Sequence, residues 1–274
     1  MNLFKKMTIQ LVLYGILLMS PLTIHSSLLS NDNYCLAAEN TEAINHFVNG
    51  QKHYEKAYEL YTLKERIDEW KKAITEFTKA IQLNPNYAMA YYARSLTYQE
   101  LGDSNSAMND INVAINIHSN DARYYLWRGL MYLENVNILN YEKAVIDFTK
   151  SIELLPSNVE AYTQRGYAYH KLNKLQLAIN DLNKAIELNP LKAEAYRNRG
   201  IVYKDLKNYQ QALSDLSKAI ELNTDDLTSY IERSEVYTEL NKEYLRQYGK
   251  SNIEYERRSK EDMNKYREIQ RKIF

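Results

Sequence analysis

The chain has 274 residues, 45% hydrophobic and 26% charged, with 35 basic side chains balancing 35 acidic ones. That composition belongs to a foldable globular chain and excludes both global disorder and a strongly basic nucleic-acid footprint. Seven Gly, 4 Pro and one Cys disfavour a hairpin-rich β fold or a glycine-loop nucleotide enzyme, and exclude an intramolecular disulfide framework. The 25 Tyr, against 5 Phe and 2 Trp, are a bias that the fold or a ligand has to explain.

At the N-terminus, Lys5 and Lys6 precede the uncharged run from Met7 to Met19, followed by Pro21. This is the basic-then-apolar order of a secretory signal. Cleavage at Cys35-Leu36-Ala37 or Leu36-Ala37-Ala38 gives an expected signal over residues 1–38 and a mature chain from about Ala38 or Glu39. The alternative is an uncleaved anchor, because no formally charged side chain appears between Lys6 and Asp32. Both place the folded part outside the cytoplasm, secreted, periplasmic or at the cell surface. Asp32-Asn33-Tyr34 before Cys35 lacks the leucine and small residues of a lipoprotein signal.

From about residue 45 the chain repeats itself with a period of about 34 residues. Two tyrosine columns, seven residues apart, lie two turns along one helix face: Tyr91/Tyr98, Tyr125/Tyr132, Tyr162/Tyr169, Tyr196/Tyr203 and Tyr230/Tyr237. They account for ten of the 25 tyrosines as packing residues. Each second helix carries small or apolar residues at helical spacing: Ala73/Phe77/Ala80, Ala107/Ile111/Ala114, Ala144/Phe148/Ser151, Ala178/Leu182/Ala185 and Ala212/Leu216/Ala219. Asn84-Pro85, Leu155-Pro156 and Asn189-Pro190 then stop the helix.

With Ala193-Glu-Ala-Tyr-Arg-Asn-Arg-Gly-Ile-Val-Tyr203 and Ala212-Leu-Ser-Asp-Leu-Ser-Lys-Ala219, the chain resembles the tetratricopeptide repeat family over about residues 45 to 272. Ser119 and Thr224 stand where the family places proline, Ser95 and Ser234 where it places glycine, and tyrosine where it places tryptophan. The resemblance implies an all-α, right-handed superhelical solenoid of antiparallel helix pairs across 39–274. An extended first repeat is expected at about 45–87, repeats at 88–121, 122–158, 159–192 and 193–226, and an extended last repeat with a capping helix at 227–272. Arg257, Arg258, Lys260, Glu261, Asp262 and Lys265 in that final segment suit a solvating cap.

A second column consists of Arg94, Arg128, Arg165, Arg199 and Arg233, charges among core tyrosines that demand partners. Each lies eighteen residues after an acid on the preceding second helix: Glu76, Asp110, Asp147, Asp181 and Asp215. Pairing within a unit is stretched to nineteen residues for Arg128 and Asp147, so the spacing predicts ion pairs between repeats, setting registry.

The family's concave side, lined by first helices, commonly holds extended peptides or partner helices. By matched columns the inward residues are Met89, Tyr92 and Leu96; Arg123, Leu126, Leu130 and Leu133; Glu160, Thr163, Tyr167 and His170; and Glu194, Arg197, Ile201 and Lys204. The first half is apolar and the second polar, although some of the leucines can equally pack against the extended first repeat. The inward lysines and asparagines of the family's chaperone-tail clamp are missing from the columns Tyr92/Leu126/Thr163/Arg197/Ile231 and Leu96/Leu130/Tyr167/Ile201/Glu235.

No phosphate loop, helical His-Glu-x-x-His pair or nucleophile elbow is present, and the lone cysteine lies in the targeting segment, so neither enzyme nor cofactor is expected. His46 and His53 share a helix face but lack further ligands for a metal site, and Asp225-Asp226 reads as a helix cap. The leading expectation is a non-catalytic scaffold outside the cytoplasm that binds a protein or peptide, with no nucleic acid and with membrane contact only through the N-terminal segment. The alternatives are a glycan-binding module using Tyr92, Tyr124 and Tyr167, or a non-catalytic subunit of an envelope enzyme.

Overall fold

The computed structural model describes residues 31–134 and 137–273. The expected targeting segment therefore lies outside the described residues up to position 30, and its last positions fall on the first helix. All regular structure among the described residues is helical, in twelve helices. They are α1 (Asn31–Glu59), α2 (Leu63–Leu83), α3 (Ala88–Glu100), α4 (Ser104–Ile117), α5 (Ala122–Glu134) and α6 (Ile138–Leu154). There follow α7 (Val159–Lys171), α8 (Leu175–Leu188), α9 (Ala193–Asp205), α10 (Tyr209–Leu222), α11 (Leu227–Tyr248) and α12 (Ile253–Ile273). None of those described is long and apolar enough to cross a membrane.

The chain divides into two compact units, the first running to Tyr124 and the second starting at Tyr125. In the first, α1 packs on α2, α2 on α3 and α3 on α4. In the second, neighbours pack in order from α6 to α12, and the first helices of successive repeats, α7, α9 and α11, also touch one another.

Small residues set how closely the two helices of a pair approach. Gly166 and Gly200 face Leu182 and Leu216, and a methyl group added at either glycine would lie within 2.8–2.9 Å of the leucine Cγ. Gly129 and Gly50 meet the rings of Phe148 and Phe77 in the same way. Where Ser95 replaces this glycine, the fully buried serine hydroxyl donates to the Ala107 carbonyl at 2.7 Å.

Helix ends follow local chemistry. Thr62 and Glu65 form a capping box at α2, and Asp103, Asn137 and Asn158 accept from backbone N–H groups at the starts of α4, α6 and α7. The helices before Pro85, Pro156 and Pro190 end on Asn84, Leu155 and Asn189 as expected, yet proline is not required: α4 and α10, followed by Ser119 and Thr224, end on His118 and Asn223 with nearly the same backbone angles as Asn189. The turn after the first helix requires positive φ, met by Gly102 at 81°, Asn173 at 55° and Lys207 at 58°. Lysine has no local compensation there. Lys207→Gly is expected to raise stability by about 0.5–1 kcal/mol, read as a higher thermal midpoint; a lower midpoint would show that the strain is already relieved.

Candidate functional site

The arginine column pairs differently from the expectation. Arg94 is joined to Asp110, Arg165 to Asp181 and Arg199 to Asp215, all at 2.7 Å and sixteen residues on, within the same helix pair. Arg128 takes Asp147 at 2.7 Å, and Arg233 takes Asp262 at 2.6 Å. Glu76, the expected partner of Arg94, instead meets His46 at 2.6 Å and Lys79 at 2.8 Å. The pairs expected between repeats, Glu76–Arg94, Asp110–Arg128, Asp147–Arg165, Asp181–Arg199 and Asp215–Arg233, are therefore replaced by pairs that close each helix hairpin.

The physical reason is that residues inserted between two paired positions change the count along the chain without moving the helix faces. In the repeat of Arg128 the second helix is the longer one: α6 has 17 residues where α4, α8 and α10 have 14, which accounts for the three extra positions in the count. In the last repeat the pair survives a separation of 29 residues, because α11 and α12 lengthen together. Asp262 is buried in this pair and does not belong to a solvating surface. Contact with the preceding repeat is neutral: the remaining guanidinium nitrogen donates to Thr78, Thr149, Asn183 or Ser217 at 2.6–3.0 Å.

The tyrosine columns flank this arginine at three residues before and four after. Guanidinium carbons lie over the rings of Tyr91, Tyr98, Tyr162, Tyr169, Tyr196 and Tyr203 at 5.6–6.0 Å. Part of the excess of tyrosine over phenylalanine is thus a set of half-buried rings beside charge.

The groove residues separate by burial. In the first unit Tyr92 is 0% and Leu96 2% exposed, Met89 is half-buried, and Arg123 is held by Asp121 at 2.9 Å. The Tyr92 ring meets buried Tyr124 at 5.1 Å, its hydroxyl has no hydrogen-bond partner, and burial pushes that hydroxyl's pKa well up. Two of the three rings behind the glycan reading are therefore closed off. In the second unit Leu126 belongs to the core with Ala144, Phe148 and Ala161, and Leu130 and Leu133 pack against it. These leucines cover their own hairpin. Tyr167 stands half-exposed, its edge toward Tyr141 at 6.4 Å and Lys171 over its ring at 5.2 Å; burial pushes its hydroxyl up to about 12.

The polar half of the groove forms a continuous charged row on α7, α9 and α11. Lys192 meets Glu160 at 2.7 Å and Glu194 at 3.4 Å, and Gln164 donates to both carboxylates at 2.8 and 3.1 Å. Buried Arg197 lies 3.4 Å from Glu194 and 3.2 Å from Asp226, and Asp226 also accepts from Ser229 at 2.6 Å. Asp226 does occupy the N-cap of α11, but its carboxylate goes to side chains. Lys204 bridges Glu232 and Glu235, and His170 meets Asp205 at 2.6 Å. Burial, with the Glu160 charge beside it, raises the Glu194 carboxyl above the ordinary range. Here lie the ion pairs that run from repeat to repeat. Of the remaining groove residues, Thr163 is buried and donates to the Val159 carbonyl, while Ile201 stays half-exposed.

Lys192 and Glu232 escaped sequence reasoning, Asp226 figured there only as a helix cap and Glu235 only as a member of a column, because two sit at repeat boundaries and two in columns that change residue type from unit to unit. Opposite charges at matched first-helix positions were the available signal. His46 and His53 each face a glutamate, Glu76 and Glu69. Hydrogen bonds from Lys72, His53 and Lys56 hold the Glu69 carboxyl at about 2 despite its burial.

Comparison with known proteins agrees with this architecture. Models described as TPR repeat or tetratricopeptide repeat match residues 68–102 and 166–207, 88–121, 148–180 and 193–226. A TPR repeat-containing thioredoxin, TDX of Arabidopsis thaliana, is 28% identical over 121 residues, 40% of this chain. The match covers 30% of that relative, so the chain spans less than a third of its length. Among solved structures, YrrB, described as a TPR protein with an unusual peptide-binding site, aligns with TM-score 0.55 and 20% identity over 73% of this chain and 96% of its own. PilF of Pseudomonas aeruginosa aligns with TM-score 0.62 and 15% identity over 86% and 99%. At these identities the likeness is one of fold. With four family models matching five overlapping segments along the repeating helix pairs, the chain belongs to the tetratricopeptide repeat family.

Proposed function

We propose that this chain is a non-catalytic scaffold, working outside the cytoplasm, that holds a protein or peptide partner on the first-helix face of its second unit. The observation that carries the reading is the run of partly exposed side chains, Tyr167, His170, Ile201 and Lys204, on α7 and α9, helices that touch directly and are joined by the charged row. A rigid face with an aromatic, an aliphatic and charged groups is what partner recognition uses. YrrB's described peptide-binding site supports the same reading by analogy of fold. The setting outside the cytoplasm rests on Lys5, Lys6 and the apolar run to Met19. A thioredoxin dithiol has no counterpart in these 274 residues, whose one cysteine is Cys35.

The test is a cross-linked capture from an envelope extract with the full chain, beside a Tyr167→Ala/Ile201→Glu variant whose helicity and thermal unfolding match the native protein. The expected result is a protein retained by the native chain and lost with the variant. Equal capture by both would remove this face from binding.

A further inference from the structure

The charged row does not balance. Five carboxylates, on Glu160, Glu194, Asp226, Glu232 and Glu235, share three cations, Lys192, Arg197 and Lys204, each of which already bridges two acids. The surplus is felt: Glu194 is raised by burial and by Glu160. Burial alone would lower Lys204, yet Glu232 and Glu235 raise it. Glu235 is the open end of the row, its side chain 56% exposed.

A second feature points to a ligand independently of charge. Asn198 is 6% exposed, and its side-chain nitrogen has no hydrogen-bond partner. It lies one turn after Glu194 on α9, in the column of Gln164 and Glu232, and both of those side chains reach into the row. A buried amide donor without an acceptor is destabilising, so its retention calls for an acceptor that arrives with the partner.

We propose that this face takes a basic, extended peptide segment, whose lysine or arginine side chains meet the surplus carboxylates and one of whose backbone carbonyls accepts from Asn198. The inference rests on the binding face proposed above and adds the chemistry of the partner. Electrostatic complementarity of this kind governs which partner is admitted and how fast it docks.

A phage-displayed library of random short peptides, selected on the full chain, tests it. The same selection is run on a Tyr167→Ala/Ile201→Ala chain, and the recovered peptide is then measured by fluorescence anisotropy. Native protein is expected to enrich lysine- and arginine-rich peptides. Their Kd should weaken about tenfold in Glu232→Gln/Glu235→Gln and severalfold in Asn198→Ala. It should stay unchanged in Glu187→Gln/Glu221→Gln, which removes two exposed acids from the second helices. Neutral or acidic peptides selected by the native chain and lost with Tyr167→Ala/Ile201→Ala would overturn the basic-partner inference and leave the binding face standing. Equal weakening by the Glu187/Glu221 control would reduce the effect to net charge and overturn it too. If native and Tyr167→Ala/Ile201→Ala chains recover the same peptides with the same Kd, both readings fall.

Discussion

Replacing Arg197 by alanine is expected to destabilise the second unit by about 3–5 kcal/mol, the range for leaving a buried charge without its partner. The Arg197 and Asp226 side chains are only 8% and 7% exposed, so water offers little compensation. The guanidinium serves two carboxylates, and its removal leaves Asp226 with Ser229 and leaves Glu194 with Lys192 and Gln164. Glu194, already raised by burial and by Glu160, would then face a second uncompensated acid nearby. A triple variant, Arg197→Met/Glu194→Gln/Asp226→Asn, removes the charges together and should recover most of the loss, since hydrophobic or neutral replacement of a buried ion network is often near neutral. Urea unfolding followed by circular dichroism measures both. A loss below about 1 kcal/mol for Arg197→Ala would mean that the row is solvated and contributes little to registry.

Asp181→Ala is expected to cost about 2–4 kcal/mol, somewhat less than full burial would give. The carboxylate is 9% exposed and accepts two parallel bonds from Arg165, at 2.7 and 2.8 Å. Without it the guanidinium keeps Thr149 and the rings of Tyr162 and Tyr169, and at 15% exposure it has some access to water. Asp181→Asn keeps the shape and one acceptor but loses the charge, so it should fall between native and alanine. Chemical unfolding of the three proteins under one set of conditions gives the order; an alanine variant as stable as native would mark the pair as incidental.

The period of the repeat made the fold legible, because tyrosine, alanine and glycine columns at fixed offsets leave little choice but paired helices. Which helix faces which acid was not legible in the same way. A constant offset of eighteen residues from Asp181 to Arg199 arises simply because no insertion falls between a second helix and the next first helix. The longer offset from Arg128 to Asp147 hides a constant contact, since α6 has 17 residues where α8 has 14. Spacing across a loop is not a distance. The two groove columns differ: Tyr92, Leu126, Thr163 and Arg197 of the one are all buried, while in the other Leu96 is buried and Tyr167 and Ile201 are partly exposed. Column position gives the direction from the helix axis, and only the packed structure shows which direction ends in water. Nothing in the sequence sets Asn198 apart; its burial and its unpartnered side-chain nitrogen do.

The charged side chains therefore divide into two systems. The arginine column closes each helix pair, and the first-helix row ties one repeat to the next beneath the surface proposed to meet the partner. Double-mutant cycles on Arg199 separate these directly, one with Asp215 in its own repeat and one with Asp181 in the repeat before. The account predicts a coupling of about 1.5–3 kcal/mol with Asp215 and no more than about 0.5 kcal/mol with Asp181. Coupling to Asp181 as large as that to Asp215 would contradict it and return the arginines to the role of ties between repeats.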